Sequence, residues 1–549
     1  MPRLIAVILL CLAALIPQAS AQPRDTITIG MSQFPPDMHP FITSTSVRNV
    51  VLLAMNRPMT VTATDGSPIC ALCTELPSLE NGLARLVTRP DGSPGMVVTF
   101  PIRSDLVWGD GAALTARDIA FSLKVSFVFN PPQFIESARA LDDQHLEVTL
   151  RSPVFDFQRI ASVFVLPEHI EGPIFDAAHD PLDYGAKSVF SRRPEERGLW
   201  FGPYVVQSFE PNNQIVLEPN PYWRGQKPYF RRVVMRLIEN TASLQANLLS
   251  GDVDTVMTAN MGLTLDQTLA LAKSQSARFE FDFRPSIGST EHLTVNHDNP
   301  LLADRRARQA ISMAIDRDTI VARLFDNRFK ATTLFIHPDE AGFDASVKGW
   351  SYDPKAARAL LAELGFRPGP DGILVDGAGR RFSIDLVSTA GNRTRELVEQ
   401  VLQTQLKAVG IELLIKNEPA RVMFGETLRK HSFTGLVQFD GGDGIDTPPI
   451  TMFSTAYVPT AANGFIGRNY GAYRNPQMDA ALLAVRAELD PVARKLKWRR
   501  VLELYVQDQP DIPLYFAATA VITPKWLQNI NRPGRIGYFT GWIEEWRPR

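Results

Sequence analysis

The chain has 549 residues, 45% hydrophobic and 21% charged, and its formal net charge of −2 gives no electrostatic reason to expect a nucleic-acid partner. It is longer than the roughly 250–300 residues at which single hydrophobic cores stop growing, so at least two lobes are expected. After Ile16 no apolar run approaches the ~20 residues that a membrane-spanning helix needs.

In chain order, the first segment reads as a secretory signal. Arg3 supplies the positive start, Leu4 to Ile16 form a short apolar core, and Ala19-Ser20-Ala21 gives a small-x-small cleavage pattern, so cleavage is expected after Ala21. Cys11 lies inside the apolar core rather than at a cleavage site. A freely diffusing periplasmic protein is therefore expected, not a lipoprotein.

Residues 26–31, TITIGM, read as a buried first strand, followed by a proline-rich loop that carries Phe34 and His39, and by a helix from Ser46 to Met55. Cys70 and Cys73 are the only cysteines after the signal. No second CxxC or nearby histidine completes a zinc site. In an oxidising compartment the pair reads as a short structural disulfide, with a redox switch as the alternative.

From Met59 to about Glu147 the pattern is β-rich, and within it Thr115 is placed to cap a helix with Asp118 three residues on. Gly202 to Val256 alternates turns and β-runs, then gives a helix stopping at Gly251. Ala307, Ala310, Ile311, Ala314 and Ile315 mark one buried helix face. A second helix opens at Asp353-Pro354 and stops at Gly365, and a third runs from about Arg393 to Val409, stops at Gly410 and feeds the strand 411–415. Strand, helix, glycine stop and strand make an α/β lobe.

Enzyme signatures are missing from the sequence: there is no G-x-S-x-G elbow, no P-loop, no H-E-x-x-H and no G-x-G-x-x-G opening a helix. The eight histidines are scattered, and the tightest pair, His292 and His297, would lie on opposite strand faces. No catalytic residue, cofactor or metal site is expected.

The order GPYVVQSF, QIVLEP, NPYWRG, RRVVMRLI in residues 202–256 resembles the signature region of family 5 extracellular solute-binding proteins, the oligopeptide- and dipeptide-type receptors of ABC importers. Further similar stretches are Trp108-Gly109-Asp110-Gly111 with Leu114 to Asp118, the run from Leu301 to Val321, Asn469 to Asp479, and Pro510 to Tyr515. The resemblance implies a bilobed α/β periplasmic-binding-protein fold with an inserted β-rich domain. Its discontinuous lobes, joined by a hinge, would be assembled as 22–58, 200–285 and 508–549 for lobe I, 59–199 for the insert and 286–507 for lobe II.

It also implies the work. A monomeric receptor would capture a small solute, a peptide first of all, and deliver it to ABC permease subunits. The same fold with an oligosaccharide, opine, haem or metal chelate is the alternative, and a periplasmic enzyme or chaperone on this fold is the second. In peptide-binding relatives an aspartate in the region matching residues 437–446 pairs with the ligand's α-ammonium, which implies Asp443 first and Asp446 second, with Phe439 and Asp440 beside them. This chain departs from the family pattern in having Gln438-Phe439 where relatives often carry tryptophan, and Asp446-Thr447-Pro448 in place of a simple Asp-Pro. Phe34 and His39, in the loop that opens the family's cleft, are ligand contacts or loop packing. Asn469 and Tyr470, before the helix at Pro476, complete the expected lining, while Asn296 is expected to be a structural hydrogen-bonding residue at a strand end.

Overall fold

The computed structural model describes residues 24–549 apart from 43–44, 64–66, 130–133, 258–260, 464, 466, 531–534 and 537–538, so the expected signal segment and its cleavage site lie outside the described residues. Two sheets organise the chain. The first has the order Thr255–Val256, Thr26–Met31, Arg232–Leu237, Gln214–Pro219, Tyr204–Glu210. Its second strand is TITIGM, whose alternate residues Ile27 and Ile29 are fully buried. Parallel pairing of Thr26–Met31 with Arg232–Leu237 explains why both strands are largely apolar: helices cover the faces.

The second sheet has the order Lys330–Ala331, Asp511–Phe516, Thr290–Val295, Leu436–Gly441, Ser383–Val387, Glu412–Ile415. Its helices start and stop where the sequence predicts. The Asp353 side chain accepts from Ala356 N, Pro354 opens the helix Pro354–Glu363, and Gly365 takes φ +89°. Asn392 caps Arg393–Ala408, and Gly410 takes φ +88° before the next strand. Inserted in sequence between the first sheet's strands Thr26–Met31 and Tyr204–Glu210 lies a four-stranded antiparallel sheet, Ala84–Thr88, Pro94–Pro101, His145–Leu150 and Ile135–Ala140, with the helix Ala116–Phe129 packed on it. At that helix start Asp118 accepts from Thr115 N at 2.7 Å and Thr115 Oγ1 from Arg117 N at 3.2 Å, as a capping pair should. Cys70 and Cys73 are joined as a disulfide.

The fold is the bilobed α/β type, and its lobes are linked by two strands. Phe279–Pro285 leaves the first lobe, Ala518–Pro524 returns to it, and the two pair antiparallel from Phe279↔Pro524 to Pro285↔Ala518. The return therefore follows Phe516, because Asp511–Phe516 hydrogen-bonds into the second sheet, and not residue 508 as the sequence suggested. The C-terminal segment is then tied into the first lobe: Arg57 pairs with Glu544 at 2.7 Å, both buried, and Ile543 and Trp546 join its core. The insert also gives up its last part. Tyr184, Phe190 and Leu199 pack into the first lobe's core rather than the insert's own.

Candidate functional site

The strand Leu436–Gly441 sits near the middle of the second sheet and ends in a glycine-rich loop, residues 441–446. The chain leaving the linking strand, residues 286–289, lies directly on that loop. Gly444 N donates to Gly288 O at 3.3 Å, and a Cβ at Gly442 would fall 2.0 Å from the same oxygen. Backbone packs on backbone here, so the hinge exit and the loop share one position.

On one face of the strand, Asp440 lies opposite Glu291. Glu291 is buried and held by Arg395, with Nε at 2.7 Å and Nη2 at 3.1 Å, and by Gln438 Nε2 at 3.0 Å. Arg395 in turn donates to Thr389 Oγ1 at 3.0 Å. Burial works against the Arg395 charge, but the Glu291 carboxylate offsets this and holds the guanidinium above its usual pKa. Asp440 is different: it reaches solvent, and its side-chain partner is Ser289 Oγ at 2.6 Å. Protein packs around its other sides, so desolvation raises its carboxyl above the usual range and Glu291 raises it further.

The opposite face carries His292 edge-on to Phe439, ring centroids 4.7 Å apart. His292 Nδ1 donates to Thr290 O at 2.8 Å, and its buried Nε2 has no hydrogen-bond partner among the described residues and lies 3.9 Å from Asp511 Oδ2. Both face a cavity of about 20 Å³ lined also by Thr290, Glu340, Asp443 and Trp498. A polar cavity of that size holds about one water.

The two aspartates expected to anchor a ligand are occupied by their own lobe. Asp443 accepts from Thr451 N at 2.8 Å and from the Thr451 hydroxyl, and pairs with Arg468 at 3.1 Å; its side chain is 5% exposed. Asp446, at φ +55°, accepts from Ala341 N at 2.6 Å while its own N donates to Glu340 Oε2 at 2.9 Å. Glu340 also accepts from His337 N at 2.8 Å, and burial pushes its carboxyl up to about 7. These carboxylates clasp two loops together.

The remaining expected residues divide. His39 is fully buried, which removes it from any ligand-contact role: Nε2 meets the Tyr184 hydroxyl at 3.0 Å, Nδ1 accepts from Phe41 N, and burial, with Arg48 adding, lowers its pKa to about 3. Asn469 is likewise spent, donating to Ser454 O and Tyr473 O and accepting from Tyr473 N. Phe34 is half-buried against Phe209 at 5.5 Å. Phe439 is buried beneath half-buried Tyr470 and exposed Phe424, at 6.1 and 5.9 Å. Asn296 is structural, donating to Phe433 O at 2.6 Å and accepting from Asp298 N. Sequence reading missed Glu291, Arg395, Ser289 and Phe424, which meet Asp440 or Phe439 only through strand pairing and helix packing.

A larger opening of about 290 Å³ lies between the insert and the second lobe. Phe155, Asp156 and Arg159 line it from the insert, and Asp446, Arg494 and Lys495 from the second lobe. Both signs of charge face it.

Comparison with known proteins gives one consistent picture. The family described as bacterial extracellular solute-binding proteins, family 5 Middle, matches residues 85–464. The oligopeptide-binding protein AppA of Bacillus subtilis is 24% identical over 481 residues, covering 84% of this chain and 82% of its own. The oligopeptide-binding protein of Thermus thermophilus, solved with a pentapeptide, superposes with a TM-score of 0.79 at 28% identity and covers 96% and 97% of the two chains. NikZ of Campylobacter jejuni, solved with Ni(L-His), shares the fold with a TM-score of 0.76 at 21% identity, covering 96% and 100%.

Proposed function

The chain belongs to the family 5 bacterial extracellular solute-binding proteins, and on that premise we propose that it is the periplasmic, monomeric receptor of an ABC importer that takes a peptide between its lobes and hands it intact to a membrane permease. Among the described residues no helix is long and apolar enough to cross a membrane, which accords with delivery to a separate membrane component. Catalysis forms no part of this reading.

The observation that carries it is Asp440. It is a solvent-reaching carboxylate at the end of a central strand, steadied by Ser289 beside the hinge exit, whereas Asp443 and Asp446 are committed to internal partners. A peptide α-ammonium placed there makes a charge-assisted hydrogen bond worth about 1.5–3 kcal/mol. Asp440 thus takes the anchoring role first expected of Asp443. Main-chain hydrogen bonds in the manner of strand addition would hold the extended peptide with tolerance for its side chains.

One observation favours a second reading. Arg159 and Arg494 face the interlobe opening, and guanidinium forks suit the carboxylates of a metal chelate as well as a peptide C-terminus. Native mass spectrometry of gently purified protein separates the two. A ladder of peptide masses that re-forms with a free tri- to pentapeptide mixture, but not with the same mixture N-acetylated, supports amine capture. A single non-peptide mass replaces it with the chelate reading.

A further inference from the structure

We infer that the helical hairpin of the second lobe, Pro476–Ala487 and Pro491–Asp508, carries a two-arginine latch that closes on the inserted domain and sets how tightly the protein holds its solute. This rests on the reading that the lobes close over a solute, and it assigns positioning roles to Arg486 and Arg494.

Four contacts meet at the hairpin turn. The Arg486 guanidinium lies over the Phe134 ring, 4.6 Å from its centroid, and that of Arg494 lies over Phe155 at 4.3 Å. Phe155 N donates to Arg486 O at 3.0 Å, and Leu489, in the turn, packs against the insert's apolar core. Each arginine is first fixed on its own lobe. Arg494 Nη1 donates to Glu488 O at 3.0 Å and Leu489 O at 3.1 Å, and Arg486 lies beside Tyr457. Their flat faces are thereby held ready for the rings, so little side-chain entropy is lost when the jaws meet.

The latch is local to the opening it closes. Phe155 and Arg494 both line the 290 Å³ interlobe space, and across it Arg159 of the insert attracts Asp446 of the second lobe. The lobes also meet at the paired strands Phe279–Pro285 and Ala518–Pro524 and at the Lys273–Asp326 ion pair, 3.4 Å, none of which involves Arg486 or Arg494. Closure at the hairpin is therefore adjustable without touching the hinge or Asp440. Two arginine–aromatic stacks together amount to about a tenfold change in the ratio of closed to open molecules.

The test uses full-length protein carrying a dye pair at Leu141→Cys in the insert and Leu483→Cys in the second lobe, both exposed positions. Energy transfer is read first without solute, then during titration with a tri- to pentapeptide mixture. Phe134→Ala/Phe155→Ala is expected to lower the solute-free transfer and to weaken apparent affinity about tenfold. Arg486→Lys/Arg494→Lys, which keeps the charges but loses the flat stacks, is expected to shift both in the same direction by less. Unchanged solute-free transfer in both variants overturns the latch, even if melting temperature falls. Reduced transfer in a protein that binds no peptide upholds the latch and overturns the peptide reading.

Discussion

Asp440 and Asp443 stand three positions apart, yet the protein uses them in opposite ways. Asp440→Asn is expected to weaken peptide binding at least tenfold by calorimetry while the melting temperature stays within a degree or two. Because desolvation and Glu291 hold its carboxyl above the ordinary range, peptide affinity should be full at neutral pH and fall on acidification at a higher pH than an unperturbed aspartate would give. Asp443→Asn should instead cost about 1–3 kcal/mol of stability, since the amide keeps one acceptor oxygen where Thr451 N and Arg468 use two, and the charge that pairs with Arg468 is lost. Glu340 gives a separate signature. Its carboxyl is raised to about 7 in the folded protein from an ordinary 4.5, so the fold binds the extra proton more tightly than the unfolded chain does. The stability this group contributes is complete below about pH 4.5 and is lost as pH rises through about 7, a change of about 1–3 kcal/mol that Glu340→Gln should flatten in denaturant titrations at several pH values. The sequence singled out residues 437–446, but not which of their carboxylates is engaged within its own lobe. Which aspartate is spent depends on Thr451, Arg468 and Ala341, and no spacing rule connects those to the loop.

Among the elements, the pairing of loop 441–446 with residues 286–289 is the most sensitive to change. Gly442→Ala would force its Cβ against Gly288 O, a backbone atom that cannot swing aside. It should cost about 1–3 kcal/mol in chemical denaturation and reduce affinity as well, because the same contact positions Ser289 for Asp440. Elements were the most legible level of the sequence. Asp353-Pro354 and Gly365 bracket a helix by chemistry that needs no tertiary partner, and the same holds for Thr115 with Asp118. The strand Asp511–Phe516 was found but given to the wrong lobe, because its pairing with Thr290–Val295 is a long-range choice that its apolar pattern shares with any buried strand. His39 misled for a similar reason: a histidine in a proline-rich loop looks accessible until Tyr184, Phe129 and Phe190 close around it.

At the scale of the molecule, two sheets with separate cores are joined by one antiparallel strand pair, and a helical hairpin reaches back to the insert on the other lobe. Hinge motion at a few strand-end residues would move the second lobe as a unit, since the loop that follows Asp440 is packed on the hinge exit itself. On the proposed reading, solute capture and jaw closure would be coupled through Ser289 at one end and through the arginine stacks at the other. Tyr184, Val189, Phe190 and Leu199 near the end of the insert belong to the first lobe's core, which would make insert and first lobe one jaw against which the second closes. Small-angle scattering with and without a saturating tri- to pentapeptide mixture tests this most directly. A radius of gyration that falls on adding the free peptides, and does not fall with their N-acetylated forms, is expected; identical profiles in all three samples would contradict a receptor that closes on peptide.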